Sequence, residues 1–184
     1  MTMNFKCKDL PDFDPHYDHP LWDFANKPTT PSVSYMCLEW LYASADYLVK
    51  FSPRHLHYSP EDMCRTIYSA IYCEQALFMF ARNPNTDKNQ PRAFMTWAWL
   101  SPEAEDEYLN QGRKLQPYDF PRTSLEDTLW VIDLVAPFGA FDVRWLCRRG
   151  QEYLSPVCYK NGLKGVKVLR GYKRQGFFYA KGGS

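Results

Sequence analysis

No stretch of the chain is apolar for long enough to span a bilayer, and the opening MTMNFKCKDLPDFDPHYD has no apolar core of the kind a secretory signal needs. No membrane span is expected, and a cytoplasmic location follows as the default. No Cys-x-x-Cys pair occurs among Cys7, Cys37, Cys64, Cys73, Cys147 and Cys158, which argues against a zinc knuckle and against a secreted disulfide framework. The six read as reduced, mostly buried small hydrophobes. No internal repeat or low-complexity block is visible, and neither sign of charge dominates, the formal balance being +1. What is present is ordinary for a soluble globular chain apart from an aromatic content of 17%. A length of 184 residues is most simply one domain. Such a chain buries roughly two-thirds of its unfolded surface, so neither a disulfide nor a metal is needed to hold it.

The first 31 residues carry five aspartates and five prolines with neither a helical nor a strand period. Residues 1–31 are therefore assigned as an irregular arm and 32–181 as the folded domain. Beyond Ser32, Tyr35, Leu38, Leu41, Tyr42, Ala45, Leu48 and Val49 recur at three- and four-residue steps, an amphipathic helix ending near Lys50. A second helix opens at Ser59, which can cap, followed by Pro60, Glu61 and Asp62, all suited to a first turn, and runs to about Cys73. QALFMFAR and RAFMTWAWL flank the turn-rich NPNTDKNQP and read as an antiparallel hairpin. Ser101 and Pro102 open a short acidic helix to about Gln111, and TLWVIDLVAP reads as an interior strand. A helix around Phe141 to Tyr153 and two strands, GVKVLR and GFFYA, complete an α/β or α+β pattern, with helices on both sides of a mixed sheet.

Two pieces carry candidate chemistry. In VIDLVAPFG a period of two puts Val131, Asp133 and Val135 on one face and Ile132 and Leu134 on the other, and both faces look buried. An ionised carboxylate there is costly unless paired, so Asp133 needs a partner or a cleft. A histidine partner would make chemistry of it, whereas an arginine or a capped loop would make it structural, and the strand alone favours the structural role. In SPRHLHYSP, His55 and His57 fall on opposite sides if the segment is extended. Their spacing also resembles a metal pair, but further ligands would have to come from His16 and His19 in the arm, so no metal site is expected. On pattern alone, either histidine reads as a surface or satisfied residue.

The order of the motifs shifts that balance. SPRH after an amphipathic helix, AFMTWAWLS leading into an acidic helix, WVIDLVAPFG and finally GVKVLRGYK resemble the RTX toxin-activating lysine acyltransferases, the C-subunit activators of pore-forming haemolysins. The resemblance runs in order from about Ser34 to about Tyr172, and VIDLVAPFG is its most specific piece. It implies a GNAT-like fold that moves a fatty-acyl group from acyl carrier protein to the ε-amine of internal lysines in an RTX-type protoxin, with no bound cofactor. The family's histidine, in its Ser-Pro-x-His turn, falls on His55, its aspartate on Asp133 and the serine of the turn on Ser52, while His57 has no counterpart. The arm, the hairpin loop at Asn83 to Gln90 and the residues just after the histidine turn depart from the family's pattern, and all would border the cleft.

The chemistry agrees with those roles. A lysine amine must lose a proton before it attacks a thioester, which suits a base titrating near neutrality, as histidine does. Asp133 would fix the His55 tautomer and stabilise the imidazolium. Ser52, lacking a nucleophile-elbow context, would serve as a hydrogen-bonding residue, and backbone amides after Pro137 would hold the oxyanion. The stretch APFGAFDVRW has no Gln/Arg-x-x-Gly-x-Gly/Ala loop of the kind with which acyl-CoA-using members of this fold hold pyrophosphate, which fits a carrier-protein donor. From Arg144 to Lys181 there are ten Lys or Arg residues against one acid, Glu152. Arg144, Arg148 and Arg149 on the expected helix are the best landing surface for an acidic carrier, with Lys160, Lys164 and Lys167 behind them. The expected partners are therefore acyl carrier protein and a protein substrate, with a homodimer left open. Competing readings are a non-enzymatic inhibitor or adaptor that keeps the acyltransferase fold and, ranked last, a nucleic-acid surface built on the basic end with Trp145, Tyr153, Tyr159, Tyr172, Phe177 and Phe178 interleaved for stacking.

Overall fold

The computed structural model describes residues 35–82, 89–163, 165–170 and 174–179. The expected arm with its boundary at residue 32, and most of the loop at Asn83 to Gln90, lie outside the described residues. Helix α1, Tyr35–Lys50, buries Trp40, Leu41, Ala45, Leu48 and Val49 along one side, the stripe its sequence implies. Ser59 and Asp62 form a reciprocal capping box that starts α2, Pro60–Met63. The chain then widens into a π-turn, Cys64–Tyr68, before α3, Ser69–Tyr72. The Ser69 hydroxyl bonds the Cys64 carbonyl five residues back, at 2.8 Å, within this wider turn.

Strands β1, Ala76–Arg82, and β2, Asn89–Leu100, make the expected antiparallel hairpin. Ser101 caps α4, Pro102–Asn110, through the Ala104 amide. A 3₁₀ turn at Pro117–Asp119 leads to β3, Thr128–Val135, which is followed by α5, Ala140–Lys160, and by β4, Gly165–Arg170, and β5, Arg174–Tyr179. The five strands lie in chain order, antiparallel throughout except for the parallel joint between β3 and β4, which α5 crosses. The fold is thus α+β with a mixed sheet.

Both faces of the sheet are covered, which is why β1 to β3 are apolar on both sides. On one face Phe78, Phe94 and Val135 meet α1, Met63, Ile67 and Ile71, and next to them Ala98, Leu100 and Trp130 meet Ala70, Ala104 and Phe120. On the other, Met95, Trp97, Leu129 and Val131 meet Leu146, Leu154 and Cys158 of α5. Asp142, Leu146, Gly150, Leu154 and Cys158 recur at four-residue steps, so one stripe of α5 lies on the sheet for its full length. Gly150 is required by that contact, since a Cβ there would come within 2.6 Å of the Met95 sulfur.

Three expectations are corrected. α5 passes Tyr153 and continues to Lys160 through Pro156, because Leu154 and Cys158 keep the stripe buried and outweigh the one backbone bond the proline forfeits. Of the cysteines whose surroundings are described, Cys158 is buried, Cys73 and Cys147 are half-buried and Cys64 is exposed on the outer side of its turn, so they are not mostly buried. Strict alternation in β3 also fails. Between Met95↔Leu134 and Trp97↔Val131, β2 has one residue, Thr96, and β3 has two, Ile132 and Asp133. This bulge turns both onto the same face, so Asp133 shares its face with Ile132 and Val135, and Val131 joins Leu134 under α5.

Candidate functional site

The site begins where α1 ends. Phe51 and Ser52 donate their amides to the carbonyls of Leu48 and Val49, His55 donates to Ser52 and Tyr58 donates to His55, all at 2.9 to 3.1 Å. The segment is therefore a series of tight turns and not the extended stretch considered above. Its inward period is three: Ser52 and His55 are buried and Tyr58 half-buried, while Arg54, Leu56 and His57 face out. His55 and His57 still do not act as one unit.

Asp133 comes to the same place from the sheet. The bulge frees its amide from the ladder, and the Thr96 hydroxyl accepts it at 3.2 Å. His55 is 2% exposed and Asp133 4%, and they are bonded Nε2 to Oδ1 at 3.2 Å. The other ring nitrogen, Nδ1, lies 2.7 Å from the Ser52 hydroxyl. A carboxylate can only accept, so with Asp133 ionised the ring proton sits on Nε2 and Nδ1 is the basic nitrogen, receiving the Ser52 proton. The geometry is a relay running from Asp133 through His55 to Ser52, an arrangement able to take a proton from whatever replaces or attacks through the Ser52 hydroxyl.

Two tyrosines that the sequence reading did not single out complete the surroundings. Tyr58 donates its hydroxyl to Asp133 Oδ1 at 2.9 Å. Burial, then the charge of Asp133 and the hydrogen bond to it, push its phenol far above the usual value. Tyr108 of α4 is pushed up to about 12 by burial and then by Asp133, with Arg54 acting in the opposite direction. The signal for Tyr58 lay in the three-residue step Ser52, His55, Tyr58. Tyr108 and Thr96 come from elements whose packing the sequence alone does not give.

The Ala-Pro-Phe-Gly turn is fastened beside this relay. The Phe138 ring lies 5.7 Å from Phe51 and 6.5 Å from Tyr47, and Arg92 sits 4.9 Å over it. Arg92 also binds Asp142, buried in the first turn of α5, at 3.1 Å. Gly139, at φ 142°, takes a backbone conformation open in practice to glycine alone and so lets α5 start directly after the turn. Arg144, Arg148 and Arg149 all lie on α5 as expected, but Arg148 and Arg149 share the carboxylate of Glu152, at 3.9 and 2.7 Å. Trp145 packs against the core under α5, whereas Tyr153, whose ring lies 5.6 Å from Trp97, and Tyr159 are exposed. Among the described residues no group of three His, Cys, Asp or Glu side chains is placed to hold a metal, and no helix is long and apolar enough to cross a membrane.

Comparison with known proteins finds a match to the family model described as the RTX toxin acyltransferase family over residues 42–160, which run from α1 through α5 and contain the whole relay. A leukotoxin-activating lysine-acyltransferase of a Pasteurella haemolytica-like species is 34% identical over 88 residues, 48% of each chain. An RTX-II toxin-activating lysine-acyltransferase of Actinobacillus pleuropneumoniae is 29% identical over 102 residues, 55% of this chain and 54% of its own. A protein-lysine myristoyltransferase of Escherichia coli is 32% identical over 102 residues, 55% and 49% respectively. The chain spans about half the length of these curated relatives. With the family model covering well over half of the chain, this protein belongs to the RTX toxin acyltransferase family.

Proposed function

We propose that the chain is a protein-lysine acyltransferase that moves a fatty-acyl group from acyl carrier protein to lysines of an RTX-type toxin precursor, in the cytoplasm, with His55 as general base oriented by Asp133. The observation that carries this reading is His55, buried and held between Asp133 and Ser52 in a chain of this family. The target ammonium gives up one proton to solvent, and its free amine attacks the thioester carbonyl. The N–C bond forms and the C–S bond breaks. The proton lost by the attacking nitrogen passes to Nδ1 and from there to the departing thiolate. Asp133 stabilises the imidazolium in between.

The donor assignment is supported by the start of α5. Its first turn is occupied by Asp142, buried and paired with Arg92, where a pyrophosphate would need free amides and no acid. A GNAT-like reading of the fold is supported by the single parallel joint, with α5 crossing between its strands. Arg144, Arg148 and Arg149 remain the proposed landing surface, with Arg144 nearest to the start of the helix.

A second reading is favoured by the 2.7 Å contact between Ser52 and His55: Ser52 takes the acyl group first and hands it to lysine afterwards. One experiment serves both. Intact-mass analysis of a protoxin and of this protein, after incubation with acyl-carrier protein or acyl-CoA, should show the acyl mass on the protoxin with the carrier donor and little with the coenzyme. Acyl mass on this protein before protoxin is added, lost in Ser52→Ala, selects the acyl-enzyme route. No gain on any lysine with either donor overturns the assignment.

A further inference from the structure

Oδ1 of Asp133 holds two donors, the His55 ring at 3.2 Å and the Tyr58 hydroxyl at 2.9 Å, while Oδ2 is buried with no hydrogen-bond partner among the described residues. Tyr58 also packs its ring edge-on to His55, 5.1 Å between centroids. Its phenol is held protonated throughout the neutral range, so towards the carboxylate it acts as a donor.

We propose that Tyr58 is a positioning residue that sets how tightly Asp133 holds the proton of His55. The proposal rests on the reading of His55 as the base. Two donors on one carboxylate oxygen share its charge, so the Tyr58 hydroxyl weakens the pull of Asp133 on the His55 ring proton. It also fixes the rotation of the carboxylate, keeping Oδ1 in line with Nε2. Without the hydroxyl the full charge of Asp133 falls on the imidazolium, which then keeps its proton to higher pH and is less available as a base at neutrality. The other groups facing the pair are Ser52 and Arg54 from the turn, Thr96 from β2 and Tyr108 from α4, and Arg54 carries the charge among them.

The test removes one oxygen atom. In Tyr58→Phe the ring stays and the donor goes. The ring nitrogens of His55, assigned by their loss in His55→Gln, are followed by NMR against pH in the free, ¹⁵N-labelled protein. The midpoint should rise by roughly half to one pH unit, and that of His57 should move much less. In transfer assays the acid limb of the rate–pH profile should move the same way, with the rate at a pH well below the midpoint falling roughly threefold to tenfold. In an Asp133→Asn background Tyr58→Phe should leave the His55 midpoint where it is. Should Tyr58→Phe melt early, fluorotyrosine at position 58 keeps the shape and strengthens the donor, and the midpoint should fall instead. An unmoved midpoint in both proteins overturns the role of Tyr58 and leaves the acyltransferase reading intact. A shifted midpoint in a protein that transfers no acyl group retains the role and removes that reading.

Discussion

A lysine amine titrates about three units above neutrality, so an enzyme that acylates it at pH 7 must supply a base at the point of attack. His55 is the proposed base, with one nitrogen bonded to Asp133 and the other facing Ser52. His55→Ala and Asp133→Ala should each lower acyl transfer by roughly 10²-fold or more with the melting transition kept, and His57→Ala should stay within a fewfold of wild type. Initial rates under matched folding controls check this, and a His57→Ala loss as deep as that of His55→Ala would move the base to the wrong histidine. In the sequence only the motif points to His55 over His57. Exposure of the one and burial of the other come from turns whose inward step is three, and residue types alone do not fix that step.

Local signals decided most of the elements. The Ser59 cap, the alternation of GVKVLR and the stripe of α1 each specify their element in one short window. The misses arose where tertiary packing overrides local preference, as at Pro156 in α5, or where a ladder takes an extra residue, as at Ile132 and Asp133. That bulge makes a test of the strand. Deleting one residue from a regular strand flips everything beyond it, but deleting Ile132 leaves one residue opposite Thr96 and keeps Asp133 on the His55 face. Transfer activity should therefore largely survive deletion of Ile132, measured on the folded fraction, and a folded but inactive variant would show that the extra residue is needed. The start of α2 carries a pH dependence. Lys114 first, then Arg65 and Ser59, donate to Asp62 and hold its carboxyl well below the usual range. A lowered folded value stabilises above the unfolded value near 4 and is lost as pH falls below it. Asp62→Ala should cost about 1 kcal/mol at pH 7, as for a lost cap, with the gap closing in thermal melts taken towards pH 2.

Across the whole molecule the charge is nearly balanced, so any steering of an acidic carrier has to come from a local patch. Glu152 already draws on Arg148 and Arg149, which makes the exposed Arg144 the stronger contributor. Charge reversal at Arg144 and Arg148 should slow transfer severalfold at low salt and much less at high salt, read from the dependence of rate on donor concentration. Parallel salt curves for wild type and variant would remove the landing surface. The parallel joint has its own consequence. β3 and β4 pair only at Trp130↔Lys167 and Val131↔Val168, whereas β1, β2 and β3 are joined along most of their lengths. The sheet is therefore two pieces, a three-stranded one clamped between helices and the β4–β5 ribbon, attached through α5, Val166 and the contacts of Lys167 with Glu105 and Trp130. A seam of two positions can open without melting what lies on either side of it, so amide hydrogen exchange should separate into two cooperative units. The β4–β5 amides should exchange through an opening that costs less than global unfolding, and those of β2 and β3 only through global unfolding itself.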